Sequence, residues 1–188
     1  MSLLTIGDQF PAYQLTALIG GDLSKVDAKK PEDYFTTISS DDYDGKWRIV
    51  FFWPKDFTFV CPTEIGAFGE AYPQFKDLDA DVLGVSTDNE YVHLAWRQAN
   101  PLLTGLPFPM AADLRRDLTT ALGVLDRNEG VALRATFIID PEGVIRHVSV
   151  NDLDTGRNVN EVVRTLAACQ AGGLTACNWV PGQSLLEG

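Results

Sequence analysis

The sequence predicts an α/β domain built on a mixed sheet with helices on both faces. Short β-branched and aromatic runs alternate with stretches whose apolar residues recur at helical spacing. Two late strand-like runs are separated only by a tight turn, which adds an antiparallel hairpin to that alternation. The chain has 188 residues, 45% of them hydrophobic and 10% aromatic, which suits a single globular core.

Each element has its own signal. Residues 15–23 are apolar and end in Gly20 and Gly21, so they read as a strand and a turn. Residues 25–46 are polar, with Asp41, Asp42, Tyr43, Asp44 and Gly45 marking a surface loop. Residues 47–53 are aromatic and β-branched, and Pro54 stops them, which predicts a buried strand. A loop over 54–60 leads to Cys61 and Pro62. Beyond them Ile65, Phe68, Tyr72 and Phe75 recur at helical spacing, and Pro62 suits a first helical turn, where its missing N–H leaves nothing unpaired. Residues 82–87 read as a strand, and Val92, Ala95, Trp96 and Ala99 share a helix face. A short strand over 107–110 and a helix over 117–122 follow. Residues 136–140 and 144–150 read as strands joined by Pro141, Glu142 and Gly143. Val159, Val162, Val163 and Leu166 mark a last helix, capped by Asn158 with Glu161 three residues on. After Gly172 and Gly173 an irregular tail carries Cys177 and Trp179. The expected division is a body over 1–170 and a tail over 171–188.

Composition removes several function classes. The net charge is −11, from 26 acidic and 15 basic residues, which argues against a nucleic-acid partner. No apolar run reaches the length of about 18 residues that spans a membrane. The first residues show no basic segment followed by an apolar stretch, so a cytoplasmic address is expected. Three cysteines, Cys61, Cys169 and Cys177, cannot all pair within one chain, and none forms a CxxC motif. His93 and His147 are not spaced with them like zinc ligands, so neither a metal nor a cofactor is expected.

Cys61 stands out because of where it falls. The thiolate is the reactive form of cysteine, and a helix N-terminus favours an anion through its free N–H groups and dipole. A nearby cation helps further, and arginine is best suited because it stays charged. Lys55 is close in sequence, but a loop lysine is usually just solvated. Phe57, Phe59 and Pro62 are expected to shield the sulfur from bulk water. A buried structural cysteine before a helix would fit position alone equally well.

The neighbours of Cys61 change that balance. Pro54, Thr58 and Cys61 form P-x-x-x-T-x-x-C, and the stretch over 51–64 resembles the active-site signature of the typical two-cysteine peroxiredoxins. Further matches follow in order over nearly the whole chain: residues 106–110, 134–141, 156–161 and 176–179. The resemblance implies a thioredoxin-like fold with a peroxiredoxin-type N-terminal extension and a C-terminal tail. It implies a thiol-dependent peroxidase acting on hydrogen peroxide and organic hydroperoxides, in antioxidant defence.

Residue roles carry over from the resemblance position by position. Cys61 matches the peroxidatic cysteine, which becomes a sulfenic acid. Thr58 matches the hydroxyl that holds thiolate and peroxide, and Pro54 the residue that shields the site. Arg134 matches the active-site arginine that stabilises the thiolate and the departing oxygen. Glu64 and Arg157 match a supporting acid and a second arginine, although an exposed salt bridge would look the same in sequence. Cys177, beside Trp179, matches the resolving cysteine that forms an intersubunit disulfide. The implied partners are a second copy of the chain, with homodimers assembled into a decamer or dodecamer ring, and a protein disulfide reductant: a flavoprotein reductase, thioredoxin or a small CxxC protein. Some relatives carry a further cysteine where this chain has Thr175. Here Cys169 sits instead on the last helix beside Leu166, where a core role is expected. A Gly-Gly-Leu-Gly segment is absent near 103–107, and no tail helix is evident before Gly188, so slow over-oxidation is expected.

Other classes fit these residues less well. A thioredoxin-type oxidoreductase lacks its CxxC. A cysteine protease needs His93 or His147 beside Cys61. A ring-forming holdase chaperone is the non-enzyme alternative.

Overall fold

A computed structural model describes residues 2–27 and 29–188; Met1, and Ala28 within the polar stretch, lie outside the described residues. The strands are β1 (Gln14–Leu18), β2 (Phe35–Ser39), β3 (Trp47–Phe52), β4 (Ala80–Ser86), β5 (Met110–Ala112), β6 (Leu125–Asp126), β7 (Val131–Ala132), β8 (Arg134–Ile139) and β9 (Ile145–Asn151). The helices are α1 (Cys61–Asp77), α2 (Glu90–Ala99), α3 (Asp117–Ala121) and α4 (Val159–Gln170). Seven strands form one sheet in the order β2-β1-β5-β4-β3-β8-β9, and β6 with β7 makes a separate ribbon. The central strands β3, β4 and β5 run parallel because α1 and α2 are the crossovers between them. The outer pairs are antiparallel, so the sheet is mixed as expected.

Alternate residues of β3 enter two different cores. Ile49 and Phe51, with Trp53 beyond the strand, pack with Phe68 and Phe75 of α1, Trp96 of α2, and Val162 and Leu166 of α4. Val50 and Phe52 face the other way, onto Phe10, Tyr13, Leu118 of α3 and Leu122. Helices therefore cover both faces unequally: three on one side, and one short helix with the N-terminal stretch on the other. Each fully buried large side chain stabilises the fold by about 1.5–3 kcal/mol. Residues 49–53 are all fully buried, so the end of β3 that carries the following loop is a firm platform.

Several expected boundaries move, for physical reasons. The first strand is shorter than 15–23. At Gly20 the chain passes so close to another segment that a Cβ would sit 2.5 Å from the Pro107 carbonyl oxygen. The polar stretch over 25–46 hides β2, an edge strand whose exposed Thr36 and Thr37 carry no apolar alternation. The strand expected over 107–110 begins at Met110 instead, since Pro107 and Pro109 cannot donate to a ladder. The ribbon of β6 and β7 is too short to leave a periodic signal. The hairpin holds, with Gly143 at φ +81° and the Asp140 carboxylate accepting from the Glu142 and Val144 N–H groups. Asn158 caps α4 through the Glu161 N–H as expected. Residues 171–188 form no helix, but Trp179 is buried, so the tail is docked at that point. Among the described residues, no helix is long and apolar enough to cross a membrane.

Candidate active site

Cys61 is the first residue of α1, and Pro62 follows it inside the first turn. Its sulfur is fully buried among core residues. The sulfur accepts a hydrogen bond from Nη1 of Arg134 at 3.3 Å. Arg134 opens β8, beside β3, so the sheet itself brings these two distant residues together. The same Nη1 donates to Oε2 of Glu64 at 2.6 Å, and Nε donates to the Leu153 carbonyl at 2.7 Å. Glu64, on the first turn of α1, also accepts from the backbone N–H and Nε of Arg157 at 2.9 Å and from its Nη2 at 3.0 Å. Arg157 in turn donates to the Ala135 carbonyl and lies over the rings of Phe51 and Phe68.

These side chains are only 3–4% exposed, so the expected Glu64–Arg157 pair is a buried lock and not a surface bridge. Two guanidinium cations and one carboxylate leave one positive charge facing Cys61. The cluster sums to zero when Cys61 is a thiolate, and a buried cluster is least costly when its charges balance. Burial alone would lower Arg134. The hydrogen bond to Cys61 and the charges of Cys61 and Glu64 outweigh it, so this guanidinium is held above its ordinary value. Arg157 is lowered by burial, opposed by Glu64.

An open cavity of about 400 Å³ lies against Cys61, lined by Pro54, Lys55, Thr58, Phe59, Val60, Cys61, Glu129, Val131, Arg134, Leu153 and Asp154. The Thr58 hydroxyl donates to the Lys55 carbonyl at 2.9 Å, so its oxygen is left free to accept from an incoming O–H. It makes no hydrogen bond to Cys61 in this state. Pro54 and Pro62 are buried at the site. Phe57 and Phe59 are 57% and 94% exposed, which corrects the expectation that they shield the sulfur. Lys55 pairs with Glu129 at the half-exposed rim and leaves the sulfur to Arg134.

Sequence reasoning missed Asp56. It is buried, accepts from the Trp53 indole N–H at 2.7 Å, and bonds Nδ1 of His93 at 2.7 Å. Its own backbone N–H donates to Asp88. These contacts pin the loop over 54–60 to α2, and burial holds the Asp56 carboxyl above its ordinary range despite His93. No short motif announces a pair that meets only in three dimensions. The other ring nitrogen of His93 faces the Ala111 carbonyl, so this histidine is not the base that a Cys61 protease would need. Cys169 is half-buried and does not join the core clusters, which corrects its expected core role. Cys177 is exposed in the tail. Among the described residues, no cluster of three or more His, Cys, Asp or Glu is arranged to hold a metal ion.

Comparison with known proteins matches this arrangement to one family. The AhpC/TSA family model matches residues 6–148. Alkyl hydroperoxide reductase C of Mycolicibacterium smegmatis is 63% identical over 187 residues, covering 100% of this chain and 95% of that protein. Peroxiredoxin TSA1 of Saccharomyces cerevisiae is 43% identical, covering 95% and 89%. The structure of Mycobacterium tuberculosis AhpC superposes with a TM-score of 0.89 at 62% identity, covering 95% of this chain and 99% of that one. The reduced two-cysteine peroxiredoxin of Plasmodium vivax superposes at 0.85 with 30% identity, covering 96% and 92%. These likenesses establish the thioredoxin-like fold and favour a peroxidase over a holdase. The chain belongs to the AhpC/TSA family and is a thiol-dependent peroxidase of the peroxiredoxin type.

Proposed function

We propose that Cys61 is the peroxidatic nucleophile for hydrogen peroxide and organic hydroperoxides, and that Cys177 of a second copy resolves it. The observation that carries this reading is the Arg134 guanidinium on the Cys61 sulfur inside a buried cluster with Glu64 and Arg157. The thiolate attacks the terminal peroxide oxygen. An S–O bond forms, the O–O bond breaks, and the leaving oxygen takes up a proton and departs as water or an alcohol. Thr58 accepts from the peroxide O–H, and Arg134 stabilises the charge moving from sulfur to the departing oxygen. Pro54 shapes the cavity wall. Glu64 and Arg157 hold Arg134 in place.

The resolving step leaves an intersubunit disulfide, which a protein disulfide reductant reduces: a flavoprotein reductase, thioredoxin or a small CxxC protein. The open edge of β9 and the exposed Phe57, Phe59 and Leu114 offer surfaces to further copies, consistent with a homodimer assembled into a decamer or dodecamer. Residues 1–170 act as the catalytic body and 171–188 as a tail that delivers Cys177. Three unpaired thiols suit a reducing cytoplasm.

The test is to add one equivalent of hydroperoxide and count thiols. Two are lost per protomer and a nonreducing dimer forms. Cys61→Ser abolishes the loss, and Cys177→Ser stops at a sulfenic acid. An unchanged thiol count in the unsubstituted protein overturns the reading. Residues 171–188 form no helix that could brace the site, and over-oxidation to sulfinic acid is therefore expected to be slow. Rapid sulfinylation of Cys61 at low peroxide dose, followed by mass spectrometry, contradicts this.

A further inference from the structure

We propose that Arg164 is a positioning residue for Cys177: it clamps the turn that carries this thiol for the resolving step. The inference rests on the reading of Cys177 as the resolving thiol.

The geometry begins on α4. Arg164 fixes its guanidinium plane against Glu161, donating from Nε and Nη2 to the two carboxylate oxygens at 2.6 and 2.7 Å. That leaves Nη1 to donate to the Trp179 carbonyl at 3.0 Å. The Trp179 N–H closes a tight turn onto the Ala176 carbonyl at 3.1 Å, with Cys177 and Asn178 between them. Asn178 takes the left-handed conformation, at φ +58°, which asparagine tolerates better than most residues. Trp179 itself is only 5% exposed, and its indole N–H donates to the Gln183 carbonyl. One end of the turn is thus anchored while Cys177 stays exposed.

Arg164 is raised above its ordinary value, first by the Glu161 hydrogen bond, with burial opposing and the Glu161 charge adding to it, so the guanidinium that holds the Trp179 carbonyl is itself firmly held. Burial raises the Cys169 thiol, with the charges of Arg146 and Arg164 opposing.

In the resolving step the Cys177 thiolate attacks the sulfenic sulfur of another copy. An S–S bond forms, the S–O bond breaks, and the departing hydroxide takes up a proton as water. The Trp179 clamp limits where the thiol can roam.

Stopped-flow fluorescence on the full chain separates peroxide attack from resolution. Arg164→Gln, whose side chain is too short to hold the Trp179 carbonyl, is expected to leave the Cys61 step unchanged and slow resolution about three- to tenfold, while Arg164→Lys, which keeps a long N–H donor for that carbonyl, stays within about twofold of the unsubstituted rate. Sulfinic acid on Cys61 should accumulate in Arg164→Gln under repeated peroxide doses. Resolution by Arg164→Gln at the unsubstituted rate, equal slowing in both variants, or equal slowing of the Cys61 step overturns the proposal. Failure of the underlying reading looks different: the disulfide of the unsubstituted protein then maps to Cys169 or does not form.

Discussion

The Cys61 turn and the Cys177 turn use the same chemistry at opposite burial. Each turn has an arginine gripped by a carboxylate: Arg134 bonds the Cys61 sulfur and is held by Glu64 of α1, and Arg164 bonds the Trp179 carbonyl and is held by Glu161 of α4. Beside Cys61 the Arg134 and Glu64 side chains are 4% and 3% exposed. Beside Cys177 the Arg164 and Glu161 side chains are 29% and 53% exposed. Breaking a buried pair strands a charge at a cost of about 3–5 kcal/mol, whereas an exposed pair contributes about 0–1 kcal/mol. One turn is built to hold a reacting geometry, and the other to hold its thiol lightly enough to travel.

The harshest way to break the comparison is to remove a thiol. Cys61→Ser should lower hydroperoxide consumption by at least about a thousandfold, since no other residue supplies the nucleophile. Cys177→Ser should still consume one peroxide per Cys61 in a single turnover and then stall, as measured by sulfenic-acid trapping.

The carboxylates sharpen it next. Glu64→Gln leaves two buried guanidinium groups facing each other, so urea denaturation should show a loss of about 3–5 kcal/mol. Peroxide attack should slow as well, because Arg134 loses its lock. Glu161→Gln should cost under about 1 kcal/mol and leave peroxide attack unchanged. Comparable losses in the two variants would erase the distinction drawn between the turns.

A smaller effect is expected at Thr58. Its hydroxyl proton is engaged by the Lys55 carbonyl, so in the proposed mechanism its oxygen accepts from the peroxide. Thr58→Val should slow peroxide attack by about ten- to a hundredfold, while Thr58→Ser retains most of it. Equal rates in the two variants would remove Thr58 from the mechanism.

How much of this was legible depended on separation along the chain. Pro54, Thr58 and Cys61 share one window, and their pattern announced the site. Arg134 was readable only through the resemblance, since an arginine before a strand is by itself usually a surface residue. Burial was not readable: Glu64 and Arg157 had the same sequence appearance whether locked in the core or waving at the surface, and only packing under Phe51 and Phe68 decides it. Asp56 and His93 lie 37 residues apart and meet because β4 and α2 return beside the loop. The error at Phe57 and Phe59 has the same origin. Apolar residues beside a nucleophile suggest a shield, but Phe57 sits at φ +57° and the loop is pinned at Asp56, so both rings turn outward. β2 stayed hidden because an edge strand with threonines needs only one buried face residue, Ile38.

Cys169 provides the finest test, because it lies between the two environments. It is half-buried, and burial raises its thiol against the opposing charges of Arg146 and Arg164. The folded chain therefore favours the protonated thiol. The corresponding stability is present at neutral pH and is lost as pH rises through the raised value, which is the sign for any group whose folded pKa is elevated. Alkylation by iodoacetamide should accordingly reach Cys169 later than the exposed Cys177, with the lag narrowing as pH rises above the ordinary thiol range. Cys169→Ser should change both the peroxide and the resolving rates by less than about twofold, since it removes neither the lock on Arg134 nor the clamp on Trp179. If Cys169 instead alkylated first at pH 7, burial would not be what separates the two thiols.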